Sequence, residues 1–326
     1  MNKKKIFNDP VYGFVSLPYD IVFDLIEHPY FQRLRRIKQV SLSGYVYPGA
    51  LHTRFHHAMG ALHLMSLAVE VLRSKDVDIS EEEAQSVSIA ILLHAIGHGP
   101  FSHTLERTLV TVPHEELSLP FMERLNEIFE GKLSLAIQIF KDQHPKKFLH
   151  QLISGQLDMD RLDYLSRDSF FTGVSEGVIS YDRIIKMLAV KDGELVVEEK
   201  GIYSIEKFLI ARRLMYWQVY LHKTVLVAEQ MLVKTLERAK ELALSGIRLD
   251  VSKSLAFFLY QNVSREDFAA NGEEMLRHFS RLDDYDILAA LKNFTESEDP
   301  LLAWLSTCLL DRRLFKIELR NEPFER

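Results

Sequence analysis

Three short segments of this 326-residue chain carry side chains that bind metals and phosphates. The first ends at His57, the second begins at His94, and the third contains Asp160. Imidazole and carboxylate groups are the usual ligands of a mixed nitrogen and oxygen metal site. A divalent cation held by them would polarise a phosphoryl oxygen and lower the pKa of a bound water. The three residues therefore indicate metal-assisted hydrolysis of a phosphate ester.

The spacing of these residues is more informative than their types. A single histidine on an apolar helix is more often a hydrogen-bonded core residue than a ligand, and 13 histidines make chance clusters common. The second segment, however, reads HAIGHGPFSH over His94–His103, and the third reads DMDRLDY over Asp158–Tyr164. A helical bundle can bring such distant side chains to one interior point. The combined pattern favours a functional site over a chance cluster.

The overall composition excludes several classes of protein. Hydrophobic residues make up 47% and charged residues 26%, as in an ordinary soluble globular protein. The net charge of -6 and the lack of a basic aromatic stripe argue against nucleic-acid binding. Cys308 is the only cysteine, which fits a reducing, cytoplasmic setting. Met1–Phe7 precedes no apolar run of signal-peptide length, and no stretch is long enough to span a membrane.

Most of the chain is predicted to be helical, because apolar residues recur at intervals of three and four. Ser80 and Glu83 form a capping-box pattern that opens a helix from Glu81 to about Ile96. Other helices are predicted over Tyr19–Glu27, Pro29–Val40, Pro120–Glu130, Leu133–Gln143, Ser154–Ser169, Ser204–Leu244, Lys253–Asn262 and Asp284–Asn293. Asp192-Gly193 predicts a β-hairpin between Met187–Lys191 and Glu194–Glu198.

The predicted fold class is therefore all-α, with a small β-hairpin near residues 187–198. We expect a core over residues 1–235, which includes the hairpin, and a helical extension over residues 236–326 that packs on it. No linker-like composition separates the two parts, so one continuous domain is the simplest arrangement.

At these motifs the chain resembles the HD-domain deoxynucleoside triphosphate triphosphohydrolases (dNTPases), the group that includes bacterial dNTPases and the mammalian enzyme that joins a SAM domain to an HD domain. The agreement begins at Asp9-Pro10-Val11-Tyr12-Gly13, passes through Arg54-Phe55-His56-His57 and reaches Tyr220-Leu221-His222-Lys223. The resemblance implies a mainly helical HD fold, dNTP substrates, a homo-oligomer and a divalent metal ion, which could be Mg, Mn, Fe or Zn.

The resemblance also implies a role for individual residues. Its metal ligands would be His57, His94 and Asp160, and Ala95 stands where the family has a fourth ligand, an Asp. The groups for proton transfer would be His103, Glu106 and His114. The triphosphate would meet Arg54, Arg161 and Arg212. The sugar pocket would be lined by Gln39, Tyr164, Asp168 and Tyr220.

Simple chemistry agrees with these roles. Guanidinium groups match the geometry of phosphate oxygens, so several arginines form a natural triphosphate clamp. Glu106 follows His103 by three residues, and we expect its carboxylate to orient the imidazole and raise its pKa. Arg212, Tyr216 and Tyr220 repeat at four-residue intervals, which predicts one face of a long helix.

Ala95 cannot bind a metal, so we predict that this chain holds its metal weakly or not at all and hydrolyses substrate very slowly. Two explanations stay open: an introduced substitution that traps substrate, or a natural loss that leaves a nucleotide-binding pseudoenzyme. The first is favoured because the other motif residues are in place. The leading predicted function is hydrolysis of dNTPs to deoxynucleoside and tripolyphosphate. The alternatives are hydrolysis of another nucleotide and a non-catalytic dNTP sensor.

Overall fold

The computed structural model describes residues 5–106, 108–110, 112–263, 266–267 and 272–318. Within these ranges the protein is mainly helical, with two small two-stranded antiparallel sheets, which confirms the predicted fold class. The helices are α1 (Asp20–Glu27), α2 (Pro29–Gln32), α3 (Arg54–Ser74), α4 (Glu81–Leu93), α5 (His114–Ile128), α6 (Ser134–Phe140), α7 (Lys147–Gln151), α8 (Met159–Thr172), α9 (Tyr181–Lys186), α10 (Ile202–Met215), α11 (Lys223–Leu244), α12 (Lys253–Leu259), α13 (Gly272–Phe279), α14 (Asp284–Phe294) and α15 (Pro300–Leu310). No helix among the described residues is both long enough and apolar enough to cross a lipid bilayer.

The hairpin predicted from Asp192-Gly193 is present, as strands β3 (Leu188–Lys191) and β4 (Glu194–Val197). Both turn residues have positive φ angles, 54° and 81°, which a two-residue turn of this kind requires. A second hairpin, β1 (Ile6–Asp9) with β2 (Gly13–Ser16), was not predicted. The Asp9 carboxylate accepts hydrogen bonds from two backbone N–H groups in its turn.

Helix α3 lies at the centre of the fold and packs against both α4 and α8. It was not among the predicted helices, because buried residues occupy nearly all of its faces and leave no clear polar side. Helix α4 begins with the predicted capping box, in which Ser80 Oγ accepts from the Glu83 N–H and the Glu83 carboxylate accepts from the Ser80 N–H. The three helices carry the three candidate metal ligands.

Three predicted helix boundaries were wrong. The helix predicted from Pro29 stops at Gln32 and continues as a 3-10 turn. Helix α5 begins at His114, before Pro120, which lies inside the helix and removes only one backbone hydrogen bond. Helix α8 begins at Met159 because the Asp158 side chain caps it by accepting from the Arg161 N–H at 2.6 Å.

The long helix predicted over Ser204–Leu244 is interrupted. Helix α10 ends at Met215, a π-helical turn follows over Tyr216–Tyr220, and His222 caps the start of α11. The prediction of a regular face through Arg212, Tyr216 and Tyr220 was therefore wrong. A π-helical turn accommodates an extra residue and changes the direction of the side chains that follow, and such turns occur often at functional sites.

The C-terminal helices are tied to the rest of the fold by buried polar contacts. The fully buried Arg33 donates to the carbonyl oxygens of Ile96 and Leu282, at 2.7 and 3.1 Å. Asp284 accepts from the backbone N–H groups of Lys38 and Phe101, at 2.9 and 2.6 Å. The predicted division at residue 235 falls inside α11 and stays a prediction.

Candidate metal centre and cleft

The three predicted ligand atoms converge on one point. His57 lies in the first turn of α3, His94 follows α4 as its cap, and Asp160 lies in the first turn of α8. His57 Nε2 is 2.9 Å from Asp160 Oδ1 and 3.1 Å from His94 Nε2, and His94 Nε2 is 3.4 Å from the same carboxylate oxygen. Ligand bonds of about 2.1 Å place neighbouring ligand atoms about 3.0 to 3.4 Å apart. The donors therefore fit a single divalent cation.

Hydrogen bonds fix the orientation of both imidazole rings. His57 Nδ1–H donates to Asp163 Oδ2 at 2.7 Å, and His94 Nδ1–H donates to the Ile91 carbonyl oxygen at 2.5 Å. Each Nε2 atom is left with a lone pair that can bind a metal. In known metal sites, hydrogen-bond acceptors orient histidine ligands in the same way. In the absence of a metal, burial lowers the pKa of His57, but hydrogen bonds to Asp160 and Asp163 outweigh this effect and raise the pKa to about 9.

A buried ion-pair network, which was not predicted from the sequence, lies behind His57. Arg167 donates to both oxygens of Asp163 at 3.0 Å and to Asp9 at 2.8 Å, and all three side chains are at most 5% exposed. Gly60 makes room for this network, since an added Cβ there would lie 2.0 Å from Asp163 Oδ1 and 2.1 Å from Arg167 Nη2. The four-residue spacing of Asp163 and Arg167 was the available sequence signal.

Ala95, next to the ligand His94, is completely buried. The site therefore offers two imidazoles and one carboxylate, a set that can hold a cation while leaving coordination positions open. An aspartate at residue 95 would bury a second carboxylate near Asp160. Such a charge is unfavourable without a cationic partner, so its stability would depend on the metal.

The candidate metal donors lie in or beside a cleft of about 670 Å³, which is within the usual range for ligand pockets. The predicted site residues that line it are Gln39, Arg54, His94, His103, His114, Asp160, Arg161, Tyr164, Asp168 and Tyr220. Neither His57 nor Glu106 is among the lining residues, and each contacts residues that are. Arg212 also lies outside the lining, with its guanidinium carbon 5.7 Å from the Tyr216 ring centre. A larger cleft of about 820 Å³ lies between α5 and α13, and none of the candidate metal ligands among the described residues lines it.

One wall of the cleft is suited to an anion. Arg54 is buried, donates from Nε to Ser102 Oγ at 2.9 Å, and forms no ion pair with the described carboxylates. Burial lowers its pKa to about 10, which leaves it charged near pH 7. A buried guanidinium without a carboxylate partner is unfavourable, and phosphate oxygens match its remaining donors.

The opposite wall carries the tyrosines of the predicted sugar pocket. Tyr220 donates to Asp168 Oδ2 at 2.6 Å, and the other oxygen of Asp168 bonds to His52 Nε2 at 2.7 Å. Gln39 Oε1 is also buried, and none of the residues that the structure describes hydrogen-bonds to it. Glu229, which was not predicted, also lines the cleft, and burial raises its pKa although two nearby hydroxyl groups oppose this. These groups can bind polar atoms of a ligand.

The residues predicted to transfer protons form a connected group. Glu106 accepts from Nδ1 of His103 at 3.0 Å and from Nδ1 of His114 at 2.9 Å. Gly97 permits this close packing, since an added Cβ would lie 2.3 Å from the His114 carbonyl oxygen. The expected rise in the pKa of His103 was wrong. Desolvation in the cleft lowers the pKa of His103, although its side chain is 61% exposed, and the positive charges of Arg54 and His114 lower it further. Together these effects outweigh the opposite effect of Glu106.

Comparison with known proteins identifies the family. Residues 179–249 match the family described as the HD associated region. A phosphohydrolase from Bacteroides thetaiotaomicron, known from a crystal structure, is 58% identical and superposes with a TM-score of 0.96 over 99% of this chain and 80% of its own. This chain belongs to the HD-domain phosphohydrolases. The uncharacterized protein YwfO of Bacillus subtilis is 30% identical over 323 residues, 97% of this HD phosphohydrolase and 72% of YwfO.

The similarity extends to a named dNTPase. Human deoxynucleoside triphosphate triphosphohydrolase SAMHD1 is 30% identical over 282 residues, which is 73% of this HD phosphohydrolase and 45% of SAMHD1. The chain thus spans less than half the length of SAMHD1. The predicted resemblance to the HD-domain dNTPases is confirmed. Family membership implies a divalent metal, and His57, His94 and Asp160 form a donor set that fits one.

Proposed function

We propose that this HD phosphohydrolase converts dNTPs to deoxynucleoside and tripolyphosphate. The main support is that three candidate metal donors lie in or beside one cleft with several tyrosines and with the buried Arg54, which has no carboxylate partner among the described residues. The similarity to SAMHD1 supports the same substrate class. A monophosphate would need fewer cationic side chains than the arginines in and beside this cleft provide.

In the proposed complex, Arg54 and Arg161 bind phosphate oxygens with their fork-shaped guanidinium groups. Arg212 lies outside the cleft lining, so it joins them only after a side-chain movement. The deoxyribose packs against Tyr220, whose hydroxyl is held by Asp168. A tyrosine in this position leaves no room for a 2′-hydroxyl, so ribonucleotides are rejected by shape.

His57, His94 and Asp160 would hold the divalent metal, which would supply Lewis-acid polarisation of a phosphoryl oxygen of the substrate. A water then attacks the α-phosphorus, and His103 accepts its proton at Nε2 because Nδ1–H is committed to Glu106. The lowered pKa keeps His103 neutral, and therefore basic, near pH 7. The bond from phosphorus to the 5′-oxygen breaks, and the proton passes to that oxygen. His114 contacts the other oxygen of Glu106 and helps to fix its position.

The test compares this chain with Ala95→Asp, and with Ala95→Asn as a control of similar size without the charge. Each is incubated with the four dNTPs and with GTP, in Mg²⁺, Mn²⁺, Fe²⁺ or Zn²⁺. We expect Ala95→Asp to release deoxynucleoside and tripolyphosphate faster than the other two, and none to hydrolyse GTP. We also expect its thermal stability to depend most strongly on metal, because the added carboxylate is buried.

The missing ligand at residue 95 favours one other candidate, a non-catalytic dNTP sensor. A sensor would bind dNTPs without turnover even after Ala95→Asp, and equilibrium dialysis with a labelled dNTP would detect this. If no variant binds or hydrolyses any dNTP, the proposal is wrong and another nucleotide is the substrate. The homo-oligomer and the cytoplasmic location stay predictions, and light scattering tests the first.

A further inference from the structure

A second cluster of nitrogen donors lies in the same cleft. It consists of His98, His103 and His114, and one ring nitrogen from each lies within 4.8 Å of the other two. The ring centres of His98 and His114 are 3.9 Å apart, and His103 is 5.0 and 4.9 Å from them. Imidazole nitrogens are common ligands of divalent transition metals, so a group of three is a candidate cation site.

Hydrogen bonds prepare all three rings in the same way. His98 Nδ1 lies 3.1 Å from the Ala95 carbonyl oxygen, and Nδ1 of His103 and of His114 face the two oxygens of Glu106. Carbonyl and carboxylate oxygens only accept hydrogen bonds from these rings, so each Nδ1 carries the proton. Every Nε2 atom therefore has a lone pair. The same arrangement orients histidine ligands in established metal sites.

An independent observation concerns the deepest member of the cluster. His98 is 2% exposed, and its buried Nε2 atom has no hydrogen-bond partner among the residues that the structure describes. Buried polar atoms of native proteins nearly always have a partner, and an exception calls for an explanation such as an ion. Burial also lowers the pKa of His98, which keeps the ring neutral and able to bind a cation.

We propose that His98, His103 and His114 form a second metal site, selective for Zn²⁺ or a cation with similar ligand preference, next to the His57 site. Three imidazoles with an open fourth position are a known zinc-binding set. Tetrahedral zinc places its ligands about 3.4 Å apart, so the rings must draw together on binding. His103 is the exposed member and can move most easily. Glu106 supplies a compensating negative charge through two of the three rings.

This site has a functional consequence if the proposed function is correct. Zinc bound there occupies Nε2 of His103, the atom that accepts the proton during hydrolysis. Zinc at the second site is therefore inhibitory, whereas a metal at the His57 site supports the reaction. The binding itself does not rest on the proposed function, because it is measured without any substrate.

The experiment counts bound zinc in metal-free protein by calorimetric titration, with Co²⁺ absorption as a second measurement of tetrahedral coordination. His94→Ala damages the first site and is the background for the other variants, so that only the second site is measured. In that background His103→Gln and His114→Gln damage the second site, and His278→Gln is a control in α13. We expect His94→Ala to bind zinc, and the added His278→Gln to leave its affinity unchanged. The added His103→Gln or His114→Gln should weaken the zinc affinity at least about tenfold. The tetrahedral Co²⁺ bands should disappear in the same two variants.

Two outcomes overturn the inference. One is zinc binding that equals that of His94→Ala alone, in both stoichiometry and affinity, after His103→Gln or His114→Gln is added to it. The other is zinc binding that disappears entirely in His94→Ala, or that is absent from the unmodified chain. Circular dichroism establishes that each variant is folded, and the exposed position of His103 makes its variant the safer of the two.

Discussion

Gly60→Ala is the substitution that most directly tests the network behind the metal centre. Gly60 lies inside α3, where alanine is normally better than glycine by about 0.5 to 1 kcal/mol. Helix propensity alone therefore predicts that the variant is more stable. The structure predicts the opposite, because the new Cβ would lie 2.0 Å from Asp163 Oδ1 and 2.1 Å from Arg167 Nη2.

The magnitude depends on what these two side chains can do. Both are completely buried, and Arg167 already bonds to Asp163 and Asp9, so neither can move into solvent. Overpacking a core costs about 1 to 3 kcal/mol, and breaking a buried ion pair costs about 3 to 5 kcal/mol. With the gain in helix propensity subtracted, we expect the free energy of unfolding to fall by about 3 kcal/mol.

Urea denaturation measures this difference, and Gly272→Ala is the matched control. Gly272 is the first residue of α13, and an added Cβ there has no neighbour within 4 Å among the described residues. The control should be as stable as the unmodified chain or slightly more stable. We also expect weaker metal binding in Gly60→Ala, since Asp163 orients His57. A Gly60→Ala protein as stable as its Gly272→Ala control would show that the Asp163–Arg167 packing is wrong.

Three further predictions concern other parts of the structure. Asp163→Asn should lower metal affinity about 10- to 100-fold, because Asp163 is the acceptor for His57 Nδ1; titration calorimetry that finds equal affinity would contradict this. Tyr220→Phe removes a hydrogen bond to buried Asp168 and should lower the free energy of unfolding, measured by urea denaturation, by about 1.5 to 3 kcal/mol. The control Tyr216→Phe, at an exposed residue, should change it by less than about 0.5 kcal/mol. Burial raises the pKa of Glu83, but hydrogen bonds from Lys146 and Ser80 outweigh this effect, and the net pKa lies below its ordinary value of 4.5. The Glu83 interactions therefore contribute to stability above pH 4.5, and this contribution is lost as the pH falls through the folded-state pKa. Stability measured from pH 7 to pH 3 should therefore fall more steeply in the unmodified chain than in Glu83→Gln, and parallel curves would count against the capping interaction.

Much of the fold was predictable because its signals are local. The capping box of Ser80 and Glu83 and the turn at Asp192-Gly193 each depend on a few consecutive residues, and both are present. Helix α3 was missed because a helix buried on nearly every face has no amphipathic period to detect. The π-helical turn at Tyr216–Tyr220 was missed because nothing in the local sequence distinguishes it from an α-helical turn.

The sequence by itself determined the residue types that can bind a metal and their order along the chain. It could not determine that Nε2 of His57, Nε2 of His94 and Oδ1 of Asp160 lie within 3.4 Å of each other, because α3, α4 and α8 meet only through long-range packing. It also gave the wrong direction for the pKa of His103. Spacing alone reveals the attraction of Glu106, whereas desolvation depends on the cleft walls.

Tertiary structure also decided which polar atoms have partners. Arg167 is bound by Asp163 and Asp9, whereas Arg54 has no carboxylate partner among the described residues and His98 Nε2 has no hydrogen-bond partner. All three are ordinary polar residues in the sequence. Their difference arises because burial removes water and leaves only the neighbours that packing supplies, so polar groups of the same type differ in whether they are available to a ligand.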